Sequence, residues 1–280
     1  MEKLKRDWLA FFQSDRQTDT WWSRKKGLFQ NRGADIVKIS GQGHAFEEIR
    51  YAGQAFGRYL LHLTFLIKQK QHFFLEEQVI PCEVRWKDGE MTEHKVMAMP
   101  VQMASEAVLE SSSLRDSTGD RFSYDRRAAV RYAERWWNSY NPNYRQFEVD
   151  CTNYVSQCMR AGGAPMRGAP ERDKGWWYQD DNWSYSWAVA HSLRWYLSGS
   201  TSGLKGKEVE SAHDLLPGDI ICYDFAGDGR WDHNTIVVAR DAEGMPLVNA
   251  HTDNSRNRHW SYEDSPAWTP AIQYKFFRIG

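Results

Sequence analysis

The chain has 280 residues, with 36 Lys and Arg against 37 Asp and Glu. That length allows one large domain or two ordinary ones. The balanced charge argues against nucleic acid as the main partner, because phosphate binding needs a local basic excess.

The opening residues, Met1 to Trp8, carry basic side chains but no apolar stretch of secretory-signal length behind them. The longest apolar run, residues 60–67, is interrupted by His62 and Thr64 and is too short to span a bilayer. Four cysteines in a chain this long do not make a disulfide framework. These features point to a cytoplasmic protein with no membrane span. Nothing in them sets an oligomeric state.

Taken in chain order, Leu4, Trp8, Leu9, Phe11 and Phe12 have helical spacing. From Ala34 to about Pro100 the period changes. Tyr59, Leu61, Leu63, Phe65 and Ile67 alternate with more polar neighbours, as in a half-buried strand. Asp88-Gly89 reads as a hairpin turn. Residues 1–110 are therefore expected to form a helix or two on an antiparallel sheet, and they carry no motif with evident chemistry. Residues 111–121 are small and polar, as in a linker. Residues 122–280 form the second expected domain.

That domain opens with a helix whose apolar face is Ala128/Ala129, Tyr132/Ala133, Trp136/Trp137 and Tyr140, stopped by Asn141-Pro142-Asn143. A second helix carries Cys151, Tyr154, Val155, Cys158 and Met159 and ends at Gly162-Gly163. A Trp-rich loop and helix follow. Leu216-Pro217-Gly218-Asp219 turns into a strand over 220–224. Two more strands, 233–240 and 246–251, are joined by the Asp241–Gly244 turn. Helices first and a sheet after is an α+β arrangement.

The chemistry-bearing residues sit in this second domain. A thiol attacks a carbonyl as thiolate, and a helix N-terminus or a neighbouring imidazole favours that form. Cys151 follows Asp150 and precedes Thr152 and Asn153, small polar residues suited to a helix start. Its backbone N–H is a candidate oxyanion donor. A buried, inert cysteine is the competing interpretation. Cys158, Cys222 and Cys82 read as core. His233 opens a β-branched run and His251 closes the partner strand, so His251 is a candidate orienter of His233, with Asp150, Asp253, Asn254, Asn249 and Asp232 as alternatives. Trp176, Trp177, Trp183 and Trp187 serve either as core side chains or as a ligand-stacking groove. His191 and His213 lie in weaker contexts. No short Cys or His spacing marks a metal site and no glycine loop marks a phosphate cofactor, so neither is expected.

These pieces resemble the bacterial putative amidase domain family. The resemblance rests on Tyr124-Asp125-Arg126, Trp137, Asn141-Pro142 and the run Asp150-Cys151-Thr152-Asn153-Tyr154-Val155-Ser156-Gln157-Cys158. It continues through Ala161-Gly162-Gly163, Trp176-Trp177-Tyr178, Leu216-Pro217-Gly218-Asp219, Asp232-His233 and Ala250-His251-Thr252. That family is similar to NlpC-type cell-wall peptidases and, more distantly, to papain. The resemblance implies a papain-like cysteine hydrolase with Cys151 as nucleophile, His233 as base and His251 as third member. It also implies a peptide or peptidoglycan-fragment substrate. A catalytically inactive peptide- or glycan-binding module and a thiol acyltransferase remain the alternatives.

Overall fold

A computed structural model describes residues 2–13, 20–97 and 122–280. The expected linker, 111–121, lies outside the described residues.

Two helices, α1 (Glu2–Gln13) and α2 (Trp21–Asn31), open the chain. Thr20 caps α2: its hydroxyl accepts the Ser23 N–H, and the Ser23 hydroxyl accepts the Thr20 N–H in return. Four strands then run as a meander, β1 (Ala34–Tyr51), β2 (Gln54–Gln69), β3 (His72–Lys87) and β4 (Glu90–Val96). The expected Asp88-Gly89 turn is present, with φ of 51° and 81°, the pair that a two-residue hairpin of this hand needs. One face of β2, from Tyr59 to Ile67, is buried under Trp22 and Phe29.

Two helices follow, α3 (Arg126–Trp136) and α4 (Cys151–Ala161). The helical pattern read to Tyr140 stops at Trp136, and Trp137 turns inward to meet the His62 ring at 5.5 Å. Next come a small hairpin of β5 (Tyr178–Gln179) and β6 (Asn182–Trp183), then α5 (Tyr185–Ala188) and α6 (Ala190–Gly199). The remaining strands are β7 (Gly206–Val209), β8 (Ile220–Asp224), β9 (His233–Arg240), β10 (Pro246–Ala250), β11 (Ser255–His259) and β12 (Gln273–Ile279).

The fold is mixed α and β, with one large antiparallel sheet. Its order is β1-β2-β3-β11-β10-β9-β8-β12-β7, and β4 flanks β3. β11 joins the two halves, pairing Ser255 with Gln78 and Arg256 with Glu77. Sequence patterning does not reveal this strand, because Ser-Arg-Asn-Arg-His has no apolar alternation.

Alternation along the central strands separates two cores. Ile220, Cys222, Ile236 and Val238 face α4 through Tyr154, Val155, Cys158 and Met159. Ile221, Tyr223, Val237, Val248 and Tyr262 pack together in a second cluster. Cys158 and Cys222 are thus core residues, as is Cys82 in the first half.

The C-terminal end of α4 is fixed by close approach. A Cβ on Gly162 would run into the Tyr124 ring, and that ring is held by a 2.9 Å bond from its hydroxyl to the Gly218 carbonyl. Gly162→Ala is expected to cost about 1–3 kcal/mol. Gly199→Ala meets no atom within 4 Å and is expected to be neutral or stabilising by roughly 0.5 kcal/mol. Urea unfolding of both variants checks the contrast.

Candidate active site

Asp150 is the N-cap residue of α4, yet its side chain accepts from no backbone N–H of the helix's first turn. Instead Oδ1 accepts the Phe147 N–H at 3.0 Å and the Asn153 side-chain amide at 2.9 Å. Oδ2 meets His251 Nδ1 at 2.7 Å. The Thr252 hydroxyl oxygen accepts the N–H groups of Asp150 and Cys151 at 3.0 and 3.2 Å. Thr252 has φ of 75°, a costly conformation for a β-branched residue. The Cys151 N–H expected as an oxyanion donor is thus occupied by Thr252.

Cys151 is the first residue of α4 and only 1 % exposed. Burial pushes its thiol up from the ordinary value, and the Asn234 backbone N–H and the Thr152 hydroxyl partly offset this. The sulfur lies 3.7 Å from Thr152 Oγ1, which also accepts the Asn234 side-chain amide at 2.9 Å. Cys151 is therefore docked on β9 at Asn234, the residue after His233.

His233 pairs with Tyr223 across β8 and β9, and its ring lies among those of Tyr262, Tyr223 and Phe225 at 5.1, 5.6 and 6.1 Å. Its Nε2 is buried without a partner. Burial, and secondarily the positive Arg258, lower its pKa from 6.5 to about 3. Thiol and imidazole are thus both neutral near pH 7. Among the described residues no hydrogen bond joins them.

His251 does not fill the expected third-member place. Nε2 meets the Trp136 carbonyl at 2.7 Å while Nδ1 meets Asp150, so neither nitrogen is left for His233. The ring stacks on Tyr154 at 4.0 Å. His251 instead ties together the end of α3, the start of α4 and the end of β10.

The alternative orienters are also engaged elsewhere. Asp253 pairs with Arg258, and Asn254 accepts the Val79 N–H on its backbone carbonyl at 2.8 Å. Asp232 accepts the Phe225 N–H, and Asn249 bridges Glu134 and the Asn257 N–H. His191 accepts the Trp195 indole N–H at 3.0 Å.

The tryptophan groove is corrected by burial. Trp176, Trp177 and Trp187 are core side chains. Trp176 and Trp187 lock α4 from the side, donating to Ser156 Oγ at 3.0 Å and to Asn153 Oδ1 at 2.8 Å. Trp183 alone of the four stays half-buried, between the guanidinium groups of Arg145 and Arg172. Among the described residues no cluster of three or more His, Cys, Asp or Glu is placed to hold a metal ion, and no helix is long and apolar enough to cross a membrane.

Residues 123–277 match the family described as "Putative amidase domain". The chain belongs to that family. The match holds Cys151, His233, His251 and Thr252, and leaves the strands of the first half outside. Similarity to relatives extends further. The uncharacterized protein YhbB of Bacillus subtilis is 44% identical over 264 residues, spanning 91% of this chain and 85% of that one. The uncharacterized protein YjcM of the same organism is 31% identical over 180 residues, 61% of this chain and 41% of YjcM. No solved structure matches.

Asn234, Thr252, Arg258 and Tyr262 were not singled out from sequence. Thr252 stood within the Ala-His-Thr resemblance, and Asn234 directly follows His233. Arg258 and Tyr262 gave no signal.

Two measurements test this geometry. Asp150→Ala leaves the Phe147 N–H, the Asn153 amide and His251 Nδ1 without their buried partner and is expected to destabilise in urea unfolding by about 1–3 kcal/mol for each group stranded. The His233 pKa is depressed on folding, so below pH 6.5 the unfolded chain binds a proton that the folded chain does not. Stability is fully present above that pH and falls as pH drops, by roughly 1.4 kcal/mol per unit for each such histidine. His259, also lowered to about 3 by burial, adds a second share. Unfolding free energies measured down to about pH 5 should show this slope, reduced by one histidine's share in His233→Gln.

Proposed function

We propose that this protein is a cysteine-type amidase or peptidase acting through Cys151 and His233. The observation that carries the proposal is the seating of the Cys151 thiol, at the start of α4, against Asn234, whose chain neighbour His233 opens β9 as a neutral imidazole with an unpartnered nitrogen. A neutral pair suits proton transfer at the moment of attack. His233 takes the thiol proton, and the sulfur forms a bond to the amide carbonyl carbon. The oxyanion takes over the Cys151 N–H from Thr252. His233 then protonates the departing amine as the C–N bond breaks, leaving a thioester that water hydrolyses. His251 and Asp150 hold the helix end that presents the thiol. A peptide or peptidoglycan fragment is the substrate class implied by the family resemblance. Transfer of the same acyl group to an amine would make the protein an acyltransferase.

A second reading has its own support. A thiol that is 1 % exposed, raised by burial and unbonded to His233 also suits an inert cysteine in a peptide- or glycan-binding module.

Iodoacetamide labelling separates the two. The other three cysteines are buried, so background labelling of the folded protein is low. The enzyme reading predicts alkylation of Cys151 near pH 7 that falls by roughly 10²-fold or more in His233→Ala. It also predicts no turnover of any amide substrate by Cys151→Ala. Labelling that appears only at alkaline pH and ignores His233 would sink the enzyme reading in favour of the binding module.

A further inference from the structure

The half of the chain outside the family match reaches His233 through buried charges. Lys25 on α2 is 1 % exposed and binds Asp264 Oδ2 at 2.9 Å, with Glu76 on β3 as its second partner. Asp264 Oδ1 accepts from Arg258 Nε at 2.9 Å. The Arg258 guanidinium lies 4.0 Å from the centre of the Tyr262 ring, and that ring is 5.1 Å from His233. We propose that Lys25 is a positioning residue for His233, acting through Asp264, Arg258 and Tyr262.

The physical argument starts from what holds the imidazole. Catalytic histidines are commonly oriented by a hydrogen-bonded third group. Among the described residues no hydrogen bond holds the His233 ring, and His251 is committed elsewhere. The ring is therefore oriented by packing against Tyr223, Phe225 and Tyr262. Those three rings and the positive Arg258 on β11 are the groups that surround it. Tyr223 is fastened to the Trp260 carbonyl and Thr235. Tyr262 is fastened to Ser255 and to Arg258, whose position is set by Asp264.

Asp264 is balanced between two cations. Burial alone would raise its carboxyl, yet Arg258 and Lys25 outweigh burial and hold it well below the usual range. With Lys25 removed, Arg258 is, among the described residues, the cation left to compensate Asp264, beside the neutral Gln78 amide at 3.2 Å. In a desolvated site that imbalance draws the guanidinium toward the carboxylate and off the Tyr262 ring. The ring follows, and His233 loses one wall of its cage. The first half of the chain is then a working part of the site.

This inference rests on the proposed role of His233, but its primary readout does not. The His233 ring protons are displaced by the ring current of Tyr262 and are observable by NMR, assigned against His233→Gln. In Lys25→Met these resonances should move, Cys151 alkylation should fall on the order of tenfold or more, and Lys25→Arg should restore both. Lys25→Met strands two carboxylates and is at risk of unfolding. The double variant Lys25→Met, Glu76→Leu replaces the whole ion pair with apolar groups, a change that folded proteins commonly tolerate. It cuts the same link and should show the same shifts. Unchanged His233 resonances in either variant, folded by melting temperature and spectral dispersion, overturn the proposal. If the resonances move while alkylation is insensitive both to Lys25 and to His233→Ala, the relay stands and the cysteine-hydrolase reading falls.

Discussion

The buried contact between Asp150 and His251 is the constraint on which the site depends. α4 begins at a thiol that must face the sheet, and a helix end left free would fray in its first turn. Asp150 prevents this by reaching outward instead of capping. Its two oxygens bind the preceding loop at Phe147, the helix at Asn153 and the strand end at His251. His251 passes the restraint to the Trp136 carbonyl at the end of α3. Two elements and a loop thus meet on one carboxylate, His251 adds α3, and the Cys151 position follows from their intersection.

Low dielectric shapes the chemistry open to Cys151 and His233 in the proposed reaction. A thiolate and an imidazolium side by side would each need solvation or a close partner, and the site offers little of either. Burial therefore moves the two groups in opposite senses, Cys151 up and His233 down, and both stay neutral. In the proposed mechanism the neutral, unpartnered His233 accepts a proton only once substrate provides charge stabilisation. Thr252 points the same way. Its strained backbone holds a hydroxyl against the N–H groups that the proposed oxyanion would use, so in that mechanism a substrate oxygen would exchange one acceptor for a better one.

Much of this was legible in the residues, and the failures have physical causes. The alternation of Tyr59 to Ile67, the Asp88-Gly89 turn, the start of α4 at Cys151 and the β9–β10 hairpin follow from local patterning. The role of His251 did not, because two histidines at neighbouring strand ends give no sign of which way each ring turns. The tryptophans stayed open between core and groove for a related reason. Indole rings suit a stacking groove and a core equally, and the decision rests on partners such as Asn153 and Ser156 that periodicity does not identify. β11 was invisible because polar side chains carry its contacts.

That last point bears on how the two halves are joined. An apolar seam would have tolerated sliding, since hydrophobic contact is non-directional. This seam is polar and highly directional. Asn254 and Asn257 bond to the backbone of β3, Arg32 pairs with Asp241 at 2.8 Å, and Gln69 accepts the Ala242 N–H at 2.9 Å. Buried charges of this kind add little net stability over apolar replacements, but they penalise every misaligned arrangement by stranding a charge. The seam is therefore suited to fixing register rather than to strength. Register is what matters here, because β11 carries Arg258 on the side toward Tyr262 and His233, and a one-residue slip of a strand would present its side chains to the opposite face.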